Sequence, residues 1–134
     1  MTISDATYSP DDLRRLVERF YERARGDDLL GPVFEAAVYD WPEHFDMLTT
    51  FWSLVMNGPR PDMPVFKGRP LPKHLALPLR AAHFDRWLDL WAETTGEMFD
   101  APRAEALREK AWRIGQSFQA AQAMQETIRP SNEW

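Results

Sequence analysis

The sequence predicts an all-α fold, and three observations support this. Apolar residues recur at spacings of three and four residues in four separate stretches, which is the period of an amphipathic helix. No stretch shows the apolar and polar alternation that is typical of a strand. Between the second and third of these stretches, one segment is crowded with prolines, which disfavour regular helix there. These are Pro59, Pro61, Pro64, Pro70 and Pro72.

The first helix is predicted to begin at Ser9-Pro10 and to end before Gly26. Ser9 can cap the helix, Pro10 is tolerated in the first turn, and the acidic residues that follow suit the positive end of the helix dipole. Its apolar stripe consists of Leu13, Leu16, Val17, Phe20 and Tyr21. The phenol of Tyr21 therefore points inward, where its hydroxyl needs a hydrogen-bond partner.

The segment from Asp28 to Val38 is predicted to be a short irregular connection with a turn at Gly31-Pro32. A second long helix is predicted to follow, because Asp40 can cap it with Glu43 at the capping-box spacing. It ends at Gly58-Pro59. Its apolar stripe consists of His44, Leu48, Phe51, Trp52 and Val55, so that His44 lies on the inward face.

The third helix is predicted to begin at about Arg80, and His83 lies off its apolar stripe. That stripe consists of Phe84, Trp87, Leu88, Trp91 and Met98. The sequence Asp100-Ala101-Pro102 separates it from a fourth helix that runs to about Gln125. The stripe of the fourth helix consists of Ala104, Leu107, Ala111, Ile114, Phe118 and Ala121.

Length and composition favour one soluble domain, residues 1–134, with loose segments at 1–8 and 126–134. The net charge is -5 and there is no long basic run, which disfavours nucleic-acid binding. The absence of cysteine excludes disulfides and thiolate metal sites and fits a reducing compartment. The N-terminus lacks a signal-peptide pattern, and no apolar run approaches a membrane span of about 20 residues. We therefore expect a cytoplasmic protein that has no membrane partner.

The chain has three histidines, His44, His74 and His83, which could bind a metal or a haem through nitrogen. Taken singly, each has an ordinary explanation: a histidine on an apolar stripe is more often a hydrogen-bonded core residue, and one after a proline-rich loop usually lies at the surface. Tryptophan and phenylalanine at helical spacing are usually core. Taken together, the residues also fit a haem pocket, which needs an apolar slot, an axial histidine and a polar ligand side.

Five short motifs, in this order, resemble the group III truncated haemoglobins over about residues 13–124. They are Phe20-Tyr21, Leu-Leu-Gly-Pro-Val-Phe (29–34), Trp-Pro-Glu-His (41–44) with Phe51-Trp52, Lys-His-Leu (73–75) and His-Phe-Asp-Arg-Trp-Leu (83–88). The resemblance implies a shortened, two-over-two helical globin fold that carries one b-type haem.

The resemblance also implies roles for individual residues. His74 corresponds to the proximal iron ligand, Tyr21 and Trp87 to donors that hydrogen-bond the bound ligand, and His44 to a distal histidine that gates the site. His83 has no counterpart, so we interpret it as a surface residue or at most a neighbour of a haem propionate. The expected pocket residues are Phe20, Phe34, Leu48, Phe51 and Trp52. The candidate propionate contacts are Lys67, Arg69 and Lys73, for which solvated loop charge is an equally good explanation.

The expected ligands are diatomic gases (dioxygen, nitric oxide or carbon monoxide) or peroxide. Two hydrogen-bond donors would slow oxygen release, which favours redox chemistry, detoxification or sensing over bulk oxygen transport, with an unidentified reductase as a further partner. Two alternatives stay open. One is a haem-free all-α binding module in which the aromatic stripes are core, and the other is a peroxidase-type enzyme.

Overall fold

The computed structural model describes residues 8–58 and 79–128. Within these two ranges the chain forms helices and no strand, which confirms the all-α prediction. The helices are α1 (Pro10–Arg25), α2 (Gly31–Ala37), α3 (Trp41–Asn57), α4 (Ala81–Met98) and α5 (Ala101–Ile128). Helix α1 is central, because it packs against α2, α3 and α4, while α5 packs against α4.

Helix α1 begins where the sequence predicts. The Ser9 hydroxyl accepts a hydrogen bond from the backbone N–H of Asp12 at 3.0 Å, and Pro10 occupies the first turn. The helix ends at Arg25, with Gly26 as its C-terminal cap. Every residue of the predicted apolar stripe is buried, and these residues form much of the core: Leu13, Leu16, Val17, Phe20 and Tyr21.

The prediction of an irregular connection after α1 is wrong, because Gly31–Ala37 forms helix α2. Pro32 lies in the first turn, where a helix does not need the N–H that proline lacks. Gly31 permits the close contact between the start of α2 and the end of α1. A Cβ atom at Gly31 would lie only 2.6 Å from the carbonyl oxygen of Arg25.

Helix α3 begins as predicted, since the Asp40 carboxylate accepts a hydrogen bond from the backbone N–H of Glu43 at 3.0 Å. The helix has two inward faces, not one. The fully buried face consists of Thr49, Trp52 and Ser53. Most of the predicted stripe is only half-buried, namely His44, Leu48, Phe51 and Val55. Helix α3 therefore presents a second, half-buried apolar wall beside the face that it buries in the core.

Helices α4 and α5 also follow the prediction. The buried residues of α4 include Phe84 and Trp91, while Trp87 and Leu88 are half-buried. In α5 the predicted stripe is buried at Ala104, Leu107 and Ala111 and half-buried at Ile114, Phe118 and Ala121. Helix α5 continues to Ile128, past the predicted end near Gln125.

Tyr8 corrects one end of the predicted loose lead. It is buried, and its hydroxyl donates to the carbonyl oxygen of Arg103 at 3.0 Å. Its backbone N–H donates to Asn57 Oδ1 at 3.1 Å, and Asn57 Nδ2 donates back to the carbonyl oxygen of Tyr8 at 2.8 Å. Tyr8 is therefore packed between the end of α3 and the first turn of α5, while residues 1–7 lie outside the described part.

Polar contacts connect α1 and the loop after it to α4. The guanidinium of Arg23 is mostly buried, donates to the Thr94 hydroxyl at 2.9 Å and pairs with Glu97. Arg86 pairs with Asp27 at 2.6 Å. The Asp27 carboxylate also accepts the backbone N–H groups that lead into α2. These contacts fix α2 and α4 relative to α1, on which the site below depends.

Candidate functional site

Tyr21 lies at the centre of an aromatic cluster to which α1, α2 and α3 all contribute. Tyr21 is buried and only 8% exposed. Its ring is in contact with five other rings, at centroid distances of 5.0 Å to Phe20, 5.0 Å to Phe34, 5.3 Å to Trp41, 5.4 Å to His44 and 6.0 Å to Phe45. The structure therefore brings together Tyr21, His44 and Phe34, which the sequence assigns to one pocket.

The environment of Tyr21 reinforces the neutral form of its phenol. Burial raises the pKa of its phenol above the ordinary value of 10.0, because the charged phenolate would lose its hydration. The hydroxyl therefore keeps its proton at any physiological pH. In chemical terms, Tyr21 is a neutral hydrogen-bond donor that is packed among aromatic side chains and the imidazole of His44.

His44 packs nearly perpendicular to two of these rings. Its ring centroid is 5.4 Å from that of Tyr21 and 5.6 Å from that of Trp41, with interplanar angles of 78° and 89°. Its Nε2 atom is buried from solvent. The predicted inward position of His44 is thus confirmed, and its imidazole shares one cluster with the Tyr21 phenol.

Trp87 belongs to a second aromatic cluster, which is built on α3 and α4. Its ring stacks on Trp91 at 6.4 Å, and Trp91 stacks on Trp52 at 4.6 Å. Phe20 connects this cluster to the first one, because its ring contacts both Tyr21 at 5.0 Å and Trp91 at 5.2 Å. The Tyr21 and Trp87 groups are thus parts of one continuous aromatic core, joined by Phe20.

The half-buried wall of α3 continues from His44 along the same helix. Leu48 and Phe51 lie on it, and both pack against the core cluster. Phe51 also contacts Trp52 edge-to-face at 5.5 Å. The wall is apolar along its length and carries the imidazole at one end, which is the kind of surface that a flat apolar group with a polar ligand side requires.

Four predicted site residues lie outside the described part of the chain. They are His74 and the three candidate propionate contacts Lys67, Arg69 and Lys73. His83 lies within it and is half-buried. Its Nδ1 atom accepts a hydrogen bond from the backbone N–H of Arg80 at 3.0 Å. His83 therefore helps to begin α4, a role that the sequence analysis missed.

No site role was predicted for Trp41, Phe45 and Trp91, although each contacts a predicted site residue. Their spacing in the sequence carried a signal. Trp41 and Phe45 are four residues apart on one helix, so they share a face next to His44. Trp91 is likewise four residues after Trp87.

The polar groups of this site lie among aromatic side chains. No group of three His, Cys, Asp or Glu side chains with metal-binding geometry occurs in residues 8–58 and 79–124. The site instead combines aromatic walls with a phenol, an imidazole and an indole.

Over the part of the chain that the structure describes, none of the helices combines the length and the hydropathy needed to span a membrane.

Fold and site together define an all-α, globin-like protein, and comparison with known proteins identifies the family. A sequence model described as "Bacterial-like globin" matches residues 5–126. The chain is 30% identical over 118 residues to the "Group 3 truncated hemoglobin ctb" of Campylobacter jejuni, which covers 84% of this chain and 90% of that protein. It also resembles the crystal structure of group III truncated hemoglobin from Campylobacter jejuni, with a TM-score of 0.77 and 30% identity, over 89% of this chain and 94% of that one. The chain belongs to the bacterial-like globins and, among them, to the group III truncated haemoglobins, which confirms the truncated globin fold.

Proposed function

We propose that this protein binds one b-type haem through His74 and uses the pocket around Tyr21 to hold a diatomic gas. Membership of the globin family supports this, since globin helices are arranged around a haem pocket. His74 would hold the haem iron, and a bound haem would supply an iron that can bind a gas. The other histidines suit other roles, because His44 shares a cluster with Tyr21 and His83 caps α4.

The walls of the proposed haem site come from residues whose packing the structure describes. Phe34 on α2 and Leu48, Phe51 and Trp52 on α3 present apolar surface. Trp52 belongs to the buried core, while the other three are half-buried, so they combine firm packing with remaining apolar area. Contacts of the propionates with Lys67, Arg69 and Lys73 belong to the same proposal.

The buried, neutral phenol of Tyr21 next to His44 is the observation that carries the choice of ligand. A polarised gas in this pocket accepts a hydrogen bond from Tyr21, and we assign the second donor to the indole N–H of Trp87. A hydrogen bond to a group that carries charge contributes about 1.5–3 kcal/mol, which is roughly ten- to hundred-fold in an equilibrium. A protein that retains its bound oxygen so strongly is poorly suited to oxygen delivery. Such retention favours redox work on oxygen, nitric oxide or peroxide, or sensing, in the cytoplasm.

An absorption spectrum of the purified full-length chain tests this proposal. A strong Soret band after expression with a haem supply is the expected result. A colourless chain that also fails to bind added haem would overturn it and favour the haem-free binding module. Turnover of peroxide, compared with that of free haem, separates a peroxidase-type enzyme from a protein that retains or senses its ligand.

Substitution of the histidines tests the assignment of the iron ligand. We expect His74→Gly to lose tightly held haem and to regain it in part when imidazole is added, because free imidazole can take the place of the missing side chain. The matched variant His83→Gln should keep the wild-type spectrum. An unchanged spectrum in His74→Gly would refute the role of His74.

A further inference from the structure

We propose that Arg25, Glu35 and Trp41 form a clamp at the surface that positions His44 and so limits how readily a gas enters the pocket. The three residues come from α1, α2 and α3 respectively. None of them was predicted as a site residue. The inference rests on the proposed function, because it assigns positioning residues to the same pocket.

The outer layer of the clamp is charged. The guanidinium carbon of Arg25 lies 4.2 Å from the centroid of the Trp41 ring, a close cation–π distance. The Nε–H of Arg25 donates to a carboxylate oxygen of Glu35 at 2.7 Å. Glu35 thus holds the guanidinium from one side while Arg25 covers the indole. A planar guanidinium suits this double role, since it can stack on a ring and donate from its edge.

The inner layer of the clamp is aromatic. The half-buried Trp41 ring contacts both Arg25 and His44, and it is nearly perpendicular to the imidazole at a centroid distance of 5.6 Å. It also contacts the ring of Tyr21 at 5.3 Å. Because Trp41 and His44 are three residues apart on α3, they share one face of the helix. A movement of His44 toward the indole therefore displaces Trp41.

The backbone makes this arrangement specific to the fold. Gly31 lets α2 begin directly against the last turn of α1, where a Cβ atom would meet the carbonyl oxygen of Arg25. That approach brings Glu35, one turn later on α2, within reach of the Arg25 side chain. The Asp40 cap fixes the first turn of α3, in which Trp41 lies. Each part of the clamp is thus held by a separate local feature.

The clamp makes displacement of His44 less favourable, because Trp41 must leave Arg25 when the imidazole moves toward the indole. Near the surface a single cation–π contact changes an equilibrium by about two- to five-fold. Loss of the contact should increase the population in which the entrance is open by about the same factor. The gas association rate should rise in proportion.

The test uses haem-loaded Arg25→Met, which keeps the length of the side chain and removes its charge. Carbon monoxide rebinding after flash photolysis should be about two- to five-fold faster than in the wild type. Arg25→Lys keeps a cation near the ring, so its rebinding rate should lie between those of Arg25→Met and the wild type. The matched control is Arg14→Met, which removes the corresponding contact with Phe45 at 5.6 Å, and its rebinding rate should stay at the wild-type value.

A second measurement needs no bound haem. NMR of isotope-labelled histidine should show a changed ring environment and faster motion of His44 in Arg25→Met, with His83 unchanged. If the wild-type protein shows no Soret band, the proposed function is wrong. The NMR measurement then still tests whether the clamp positions His44. Unchanged rebinding and an unchanged His44 signal in Arg25→Met would overturn the clamp, as would an equal acceleration in Arg14→Met.

Discussion

Gly31→Ala is expected to destabilise the protein and to disturb the pocket from a distance. The added Cβ would lie 2.6 Å from the carbonyl oxygen and 3.3 Å from the carbonyl carbon of Arg25, and 3.6 Å from the carbonyl oxygen of Ala24. The first distance is far shorter than normal packing allows. The atoms in the way belong to the backbone of α1, so no side chain can rotate to relieve the contact.

The expected cost follows from this geometry. Forcing one extra methyl group into a packed site costs about 1–3 kcal/mol. Replacing glycine by alanine in a helix returns at most about 0.5–1 kcal/mol. The difference spans about 0–2.5 kcal/mol. Because the atoms in the way are backbone atoms that cannot rotate aside, we expect a net loss of roughly 1–2 kcal/mol in the free energy of unfolding, or several degrees in Tm for a chain of this size. Helix α2 must shift, and Phe34 and Glu35 shift with it.

Gly96→Ala is the matched control. Gly96 is exposed within α4, and a Cβ atom there would meet nothing within 4 Å. This variant should gain about 0.5–1 kcal/mol through its helix propensity. Urea and thermal unfolding of both variants, run in parallel with the wild type, measure the two opposite effects. If Gly31→Ala proves as stable as Gly96→Ala, the close contact between α1 and α2 is not what requires glycine.

Two further predictions concern Tyr21 and Asp27. Tyr21→Phe should speed oxygen dissociation about ten- to hundred-fold in stopped-flow measurements, because the buried donor is lost, and an unchanged rate would remove Tyr21 from that role. At neutral pH, Asp27→Asn should lower the free energy of unfolding by about 1–2 kcal/mol, and the exposed Asp28→Asn should leave it nearly unchanged. Burial of the Asp27 carboxylate opposes its ionisation, but hydrogen bonds from Leu30, Arg86 and Leu29 outweigh this and hold its pKa below 3.8. A lowered pKa stabilises the fold above the unfolded value and ceases to do so as the pH falls through the folded one. The gap between wild type and Asp27→Asn should therefore close only below about pH 4, and a gap that is equally wide in strong acid would contradict the assignment.

The long helices were predictable because their apolar periods are long and their caps are local. Ser9 and Asp40 each cap the N–H of a residue three positions later, so the sequence alone indicates where α1 and α3 begin. Helix α2 was missed because seven residues are too few to show a helical period, and Gly31-Pro32 is typical of a turn. Only the tertiary contact of Gly31 with Arg25 distinguishes a short helix from a turn at this place.

The site was predictable where a residue lies on an apolar stripe, as Tyr21 and His44 do. It was not predictable where a contact joins different helices. The approach of Arg25 to Trp41 depends on how α1 and α3 pack, and no local pattern encodes it. The role of His83 was also not predicted, although its contact is local. Its side chain satisfies the backbone of its own helix start, which gives it a structural role that neither the motif nor its exposure indicated.

Two consecutive residues of α1 explain why this helix is the centre of the pocket. Neighbouring positions on a helix point about 100° apart, so Phe20 and Tyr21 face different partners. Tyr21 packs on rings from α2 and α3, while Phe20 packs on Trp91 of α4. The two proposed donors, Tyr21 and Trp87, are thus positioned through one rigid turn of α1. Because Tyr21 lies on α1 and Trp87 on α4, a change in the angle between these helices would move one donor relative to the other. For this reason the contacts of Arg23 and Asp27 with α4 bear on the chemistry of the pocket as well as on its stability.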